Sequence, residues 1–297
     1  MPTISVIIPN YNHGKYLQQR IESVLNQTYR SFEVIILDDC SGDNSREIIE
    51  TYRNNSMVSH IVFNDKNSGS TFKQWKKGIA LASGAYLWIA ESDDWADPEF
   101  LQTLAAAISK NPQAGIAFSN SNWIDANGQC IQSLSIYKES FEKTGKEEVR
   151  NSLLKFNTIQ NASAALIKKD LAEKYITGTL SYKSCGDWRL YTDILMESDM
   201  IYLGRELNYF RWHENNTSMT ANKKGQWVEE GLKIVAFSTA YKLRLNDQEF
   251  RQIFKYWWNR CRQFPFFFRL KLRSLSVTFL LIFFVKSILY GAVHTHE

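Results

Sequence analysis

A chain of 297 residues with 44% hydrophobic content has material for one large α/β domain plus a smaller appendage, and is too apolar for a disordered polymer. Its formal charge of +4 is unevenly placed: residues 251–297 hold eight Lys/Arg and one acid, and the preceding 250 residues hold 27 cations and 30 acids. This distribution argues against a nucleic-acid-binding body and predicts an acidic catalytic part with a basic tail suited to an anionic surface.

Short β-branched runs alternate with helical patterns from the N-terminus. Residues 4–8 read as a strand, 14–27 as a helix, 32–37 as a strand, 44–53 as a helix, 60–63 as a strand, 71–82 as a helix and 85–90 as a strand. This rotation predicts βαβ units in a doubly wound, mostly parallel sheet with right-handed crossovers. From about Ala114 the rotation is lost. Residues 114–125 read as a strand entering the turn Asp125-Ala126-Asn127-Gly128, followed by a helix at 146–156, a strand at 160–167, a helix at 187–197 and a strand at 201–212. The chain is mostly helical from Gly225.

Chemistry-bearing residues gather where the early strands end. The strand at 85–90 runs into Glu91-Ser92-Asp93-Asp94-Trp95-Ala96-Asp97-Pro98, four acids in seven residues. Ligands of open α/β sheets collect outside the carboxyl ends of the strands, and adjacent carboxylates repel unless a cation or proton lies between them. Asp97, directly before a proline, suits a helix N-cap instead. The second strand ends in Asp38-Asp39-Cys40-Ser41-Gly42-Asp43, where Ser41 or Asp43 suits a cap and Asp39 suits acceptance from a base N–H or a ribose hydroxyl. The third strand leads to Asn64-Asp65-Lys66-Asn67-Ser68-Gly69-Ser70, a loop before a helix whose backbone N–H groups suit phosphate, with Lys73 on the helix adding charge. The first turn is Pro9-Asn10-Tyr11-Asn12-His13; with no Gly-x-Gly-x-x-Gly and no P-loop, a dinucleotide dehydrogenase and a P-loop NTPase lose their main support. Cys40, Cys130, Cys185 and Cys261 have no zinc or disulfide spacing and are read as reduced thiols.

As an ordered set, Ile-Ser-Val-Ile-Ile-Pro-Asn-Tyr-Asn, Val-Ile-Ile-Leu-Asp-Asp-Cys-Ser-Gly-Asp, Asn-Ser-Gly-Ser and Glu-Ser-Asp-Asp-Trp-Ala-Asp-Pro resembles glycosyltransferase family 2 over roughly the first 125 residues. The resemblance implies the GT-A fold, a Rossmann-like mixed sheet flanked by helices, and inverting transfer of a sugar from a nucleotide-diphosphate donor, UDP favoured. It places Pro9, Tyr11 and Asp39 around the base, and Asn67, Gly69, Lys73, Glu91, Asp93 and Arg211 along the nucleotide sugar. Asp94, Asp93 and His213 are the implied ligands of Mn²⁺ or Mg²⁺. The first acid of the family's Asp-x-Asp signature is here Glu91. Asp187, in Ser184-Cys185-Gly186-Asp187-Trp188-Arg189, is the implied general base, although its position equally suits an N-cap. Arg211 and His213 close the strand Tyr209-Phe210-Arg211-Trp212-His213 on one side, as in relatives with Arg-x-His near the diphosphate.

The expected organisation is residues 1–224 as the transferase domain, with 1–125 binding donor and 126–224 binding acceptor, and 225–297 as a helical basic and aromatic extension. Residues 277–293 have Lys286 as their only charge and fall short of the roughly 20 apolar residues that span a bilayer. They suit a helix lying on the inner face of the cell membrane, near a glycan or lipid-linked glycan acceptor, with a single-pass anchor and a buried dimer interface as the alternatives. With no signal-peptide pattern ahead of Ile4, the expected location is cytoplasmic and peripheral, with a homo-oligomer as an open alternative. A nucleotidyltransferase would need a Gly-rich basic loop where Asn10-Tyr11-Asn12-His13 stands, and a non-catalytic nucleotide-sugar-binding protein would not depend on Asp187.

Overall fold

A computed structural model describes residues 3–213 and 225–263; the expected membrane helix at 277–293 lies outside the described residues. They form two compact units, one of residues up to 146 and from 159 to 213, the other of residues 147–158 and those from 225. The segment 147–158, expected within the first unit, therefore groups with the C-terminal helices.

The first unit begins with strand β1 (Ile4–Asn10), helix α1 (Gly14–Leu25), β2 (Phe32–Asp38), α2 (Ser45–Glu50), β3 (Val58–Phe63), α3 (Thr71–Leu81) and β4 (Tyr86–Ile89). β1 and β2 are buried along their whole length, as parallel strands covered on both faces must be. α1 buries Leu17, Ile21 and Val24 at helical spacing, over a core that also holds Ile4, Val6, Ile8 and Trp88. On the other face α3 buries Phe72, Trp75 and Ile79, and a Cβ at Gly78 would stand 2.4 Å from Ile7 Cγ2, so the glycine sets how closely α3 approaches β1.

The chain continues through β5 (Trp95–Ala96), α4 (Phe100–Lys110), β6 (Ala114–Ile124), β7 (Cys130–Leu134), β8 (Phe141–Thr144), α5 (Gly145–Glu148), β9 (Ala165–Lys168), α6 (Lys169–Tyr175), α7 (Gly186–Leu195) and β10 (Asp199–Arg211). The sheet runs β3-β2-β1-β4-β9-β6-β10-β5, with β7 beside β6 and β8 beside β10. β3, β2, β1 and β4 are parallel; β9 is antiparallel to both β4 and β6, and β10 returns parallel to β6. This is the mixed, mostly parallel, helix-flanked sheet of the GT-A fold. Registers of Asn10 with Asp38 and of Ile7 with Ile89 bring the carboxyl ends of β1, β2 and β4 to one edge.

In the second unit, α8 (Gln226–Tyr241) and α9 (Asp247–Cys261) accompany residues 147–158. Asn246 and Glu249 form a capping box at the start of α9, Arg150 pairs with Glu249 at 3.0 Å, and Trp257 Nε1 donates to the Leu154 carbonyl at 2.8 Å. These bonds are why 147–158 belongs with the helices.

Candidate active site

The acidic turn after β4 is built around a buried cation. Arg20 on α1 is fully buried; its Nε donates to the Glu91 carbonyl at 2.8 Å, its guanidinium stands over the Trp88 ring, and Nη2 lies 3.9 Å from Asp94 Oδ2. Burial lowers its pKa to about 10, against the raising effect of Asp94, Asp93 and Glu91, so it keeps its charge at neutral pH. Asp94 faces inward. Its Oδ1 accepts from the Arg211 backbone N–H at 2.9 Å, and its Oδ2 from Ser163 Oγ at 2.7 Å and Asn161 Nδ2 at 3.0 Å. Burial and the neighbouring Asp93 push its pKa up to about 6. Asp94, expected as a metal ligand, has its oxygens bonded to protein donors from two segments, 161–163 and the end of β10.

Asp93 faces the other way. Its Oδ2 lies 3.0 Å from His213 Nε2, and one ring nitrogen of His13, one of His213 and a carboxylate oxygen of Asp93 all lie within 4.8 Å of one another. Burial raises the Asp93 pKa, yet the hydrogen bond from His213 and the fields of both histidines outweigh it and hold the carboxyl below its ordinary range. The two imidazoles meet edge to face at 5.6 Å, and Tyr16 packs beside them, 5.5 Å from His213. His13 Nδ1 sits 2.9 Å from the hydroxyl of buried Ser92. Two imidazoles and a carboxylate are a fitting donor set for a divalent metal ion. Sequence reasoning missed His13; it stands in the first turn, but nothing there marks it as a ligand.

Arg211, expected beside the diphosphate, is buried and braces the turn. Nε donates to the Asp93 carbonyl at 2.8 Å, Nη1 to the Asp125 carbonyl at 3.1 Å and Nη2 to Gln19 Oε1 at 2.7 Å, while its Cζ stands over the Tyr16 ring. Glu91 turns from the metal candidates toward α3, where Trp75 Nε1 donates to it at 2.8 Å. Burial, then Asp93 and Asp94, raise its pKa to about 8.

The wall on that side leads to Asp187. Gly186 packs so closely that a Cβ there would stand 2.6 Å from the Phe72 ring, and Phe72 meets Trp75 edge-on. Cys185 is the N-cap of α7, so Asp187 lies inside the first helical turn and is not the capping residue. Tyr191, one turn on, is fully buried; burial, then Asp187 and Glu91, raise its pKa well above the ordinary value. Both carboxylates therefore border one region of the molecule.

At the nucleotide edge, Asp39 is bonded within the protein. That carboxylate is buried and accepts from Asn64 Nδ2 at 2.6 Å, Gln74 Nε2 at 2.8 Å, and the Ser68 N–H and hydroxyl at 2.9 and 2.8 Å. It shapes the loop that follows β3, aided by Asn67, whose Nδ2 donates to the Asp39 carbonyl. Gly69 takes the left-handed φ of +71° and donates its N–H to Asn67 Oδ1 at 2.7 Å; Lys73 Nζ donates to the Ser68 carbonyl. Pro9 is buried within β1 beside Leu37, and Tyr11 is 48% exposed. Asp43 accepts from the Ser45 N–H at 3.0 Å and the Gly14 N–H at 2.8 Å, tying α1 to α2, while the N-cap of α2 is Asn44, neither Ser41 nor Asp43. Asp97, expected as a helix N-cap, lies ahead of that position: the N-cap of α4 is Glu99, whose N–H donates to Asp97 Oδ1 at 2.8 Å.

The chain is similar to known proteins. Over 178 residues, 57% of each chain, the protein is 30% identical to the "Glycosyltransferase GlyG" of Streptococcus pneumoniae serotype 4. Over 115 residues it is 36% identical to the poly(ribitol-phosphate) beta-N-acetylglucosaminyltransferase TarS of Staphylococcus aureus, covering 37% of this chain and 20% of TarS. The chain thus spans about half the length of the former and a fifth of the latter. The crystal structure of S. aureus TarS 1-349 in complex with UDP-GlcNAc superposes with a TM-score of 0.64 at 19% identity, covering 95% of this chain and 89% of that one. The mannosyltransferase PcManGT from Pyrobaculum calidifontis, in complex with GDP-Man and Mn²⁺, superposes at 0.61 and 12% identity over the whole chain and 81% of its own. These two likenesses show the fold. The profile described as "Glycosyl transferase family 2" matches residues 5–176, well over half of the sequence, and the chain belongs to that family.

Proposed function

We propose that the protein is an inverting glycosyltransferase that moves a sugar from a UDP-linked donor to an acceptor hydroxyl. The observation behind this reading is that one edge of the sheet gathers His13, Asp93 and His213, ends of three separate segments, within metal-ligating reach of one another. The donor belongs at that edge. Its base would lie by Pro9, exposed Tyr11 and the loop that Asp39 orders, and its diphosphate toward Gly69 and Lys73. UDP is favoured because TarS, of the same fold, is known in complex with UDP and UDP-GlcNAc.

Asp93 and His213 would hold a divalent cation, which supplies positive charge to the leaving diphosphate. Arg20, Asp94 and Arg211 keep the turn in place through buried bonds, so Asp93 reaches the ligand without a folding cost at the moment of binding. Asp187 takes the proton of the acceptor hydroxyl as its oxygen bonds to the anomeric carbon from the face opposite the diphosphate. The bond from that carbon to the diphosphate breaks, and the diphosphate leaves with the electron pair. Glu91, turned toward Trp75 and the Asp187 side, borders the transferred sugar.

The acceptor would be a glycan or lipid-linked glycan of bacterial surface polysaccharide assembly; relatives named as a poly(ribitol-phosphate) beta-N-acetylglucosaminyltransferase, TarS, and a putative teichuronic acid biosynthesis glycosyltransferase, TuaG, support a polymer acceptor. The basic tail would keep the enzyme at the inner membrane surface; among the described residues no helix is long and apolar enough to cross a membrane. A thermal-shift panel of nucleotide sugars, with and without Mn²⁺, tests the reading. Stabilisation by a UDP-sugar that grows with the metal is expected, and indifference to every nucleotide sugar overturns it.

A further inference from the structure

The histidine of the first turn goes beyond this reading. His13 stands at the start of α1 and His213 beyond the end of β10, 200 residues apart in sequence, yet both rings converge on Asp93. The Ser92 hydroxyl 2.9 Å from His13 Nδ1 orients that ring: with Nδ1 bonded to the hydroxyl, Nε2 is the ring nitrogen left for a metal ion. A hydrogen-bond partner on the non-ligating nitrogen is how proteins orient metal-binding histidines. Asp94, which would make the site rich in oxygen, is withdrawn into bonds with Ser163, Asn161 and the Arg211 N–H.

We propose that His13 is the third protein ligand of the cation, and that the resulting set of two imidazoles and one carboxylate selects a first-row transition-metal dication over Mg²⁺ or Ca²⁺. The physical reason is donor chemistry. Mg²⁺ and Ca²⁺ bind through oxygen, and Mg²⁺ gives up its waters reluctantly. Imidazole nitrogen suits the later divalent ions, whose affinity for such a site rises from Mn²⁺ toward Zn²⁺. Three protein ligands leave the other coordination positions to water or to diphosphate oxygens. The inference rests on the proposed place of the cation, but not on which sugar is moved.

The test is direct metal binding to the full chain without donor, by isothermal titration with MgCl₂, MnCl₂ and ZnCl₂ and by the loss of the free Mn²⁺ electron-resonance signal. Binding of Mn²⁺ about tenfold or more tighter than Mg²⁺, with Zn²⁺ tighter still, is expected. His13→Asn should weaken Mn²⁺ and Zn²⁺ about tenfold or more, leave Mg²⁺ unchanged and keep the metal-free melting temperature; Ser92→Ala should weaken Mn²⁺ about 10-fold through ring orientation alone. Equal affinity for Mg²⁺ and Mn²⁺, or unchanged Mn²⁺ affinity in His13→Asn, overturns the proposal. UDP-sugar stabilisation that survives His13→Asn with metal affinity intact removes only the third ligand. Selective Mn²⁺ binding with no response to any nucleotide sugar removes the transferase reading and leaves the metal site standing.

Discussion

Asp38-Asp39 at the end of β2 and Asp93-Asp94 after β4 look alike in the sequence, flank the same strand β1, and meet different fates. In each pair one carboxylate turns inward: Asp38 accepts from Asn10 Nδ2 and from the N–H and hydroxyl of Ser41, and Asp94 accepts from Ser163, Asn161 and the Arg211 N–H. The outer members differ. Asp39 meets the neutral donors Asn64, Ser68 and Gln74, which satisfy it and fold a loop around it. Asp93 meets two imidazoles, with the buried cation Arg20 behind its neighbour Asp94. A carboxylate bonded to neutral amides and hydroxyls organises chain, whereas one facing ring nitrogens at a strand's end can exchange its partner for a metal ion.

The comparison assigns the proton chemistry to neither pair, and Asp187→Asn breaks it most severely. Transfer should fall by about 10³-fold, the scale of a lost general base, while titration calorimetry still detects donor binding. Activity close to wild type would move the base elsewhere. Within the β4 pair, the two aspartates should separate by stability. Asp94→Ala strips acceptors from three donors and leaves Arg20 buried without its ion-pair partner, a loss of about 3–5 kcal/mol in urea denaturation. Asp93→Ala should cost about 1 kcal/mol and instead abolish the metal-dependent part of the thermal shift. Equal destabilisation by the two would mean that both are structural. Within the β2 pair, Asp39→Asn turns an amide group toward donors that need an acceptor, which should cost about 2 kcal/mol and weaken UDP binding without altering Mn²⁺ affinity.

Much of this contrast was out of reach of the sequence. The βαβ rotation of the first 90 residues and the strand ends were legible because parallel strands buried on both faces must be apolar runs bounded by polar turns. The family motifs lie at those same turns, so one edge of the sheet and the candidates Asp93, Asp187 and His213 could be named. What a local pattern cannot show is which way a side chain turns once distant segments arrive. Asp94 is claimed by Asn161 and Ser163, about 70 residues on, and by the Arg211 backbone, whose meeting depends on β9 and β10 taking their places. His13 reads only as the end of the first turn and Arg20 carries no signal within the helix at 14–27, since their partners Ser92 and Glu91 are more than 70 residues away. The grouping of 147–158 with α9 has the same origin, a long-range bond from Trp257 that no periodicity announces.

Glu33 supplies the smallest and most local test of the idea that acids at the β1–β2 side organise chain. It sits inside β2, not at its end, and is 9% exposed. Burial works against its charge, but hydrogen bonds from Ser5, Ser59 and Ser83, the last through both hydroxyl and backbone N–H, outweigh burial and lower its pKa from 4.5 to about 2. Because the folded value lies below the unfolded one, the unfolded chain takes up this proton first as pH falls. The ionised Glu33 therefore contributes its full stability above about pH 4.5, and that contribution drains away as the pH approaches 2. Glu33→Gln should cost about 2–3 kcal/mol near neutral pH, and the gap to wild type in urea titrations should shrink below about pH 4.5 and close near pH 2. Metal affinity should not change at any pH, since β2 contributes no ligand to the His13, Asp93 and His213 cluster. A gap that stayed constant with pH would mean that Glu33 acts by packing alone, and the neutral hydroxyls around it would then not be what separates the two edges of the sheet.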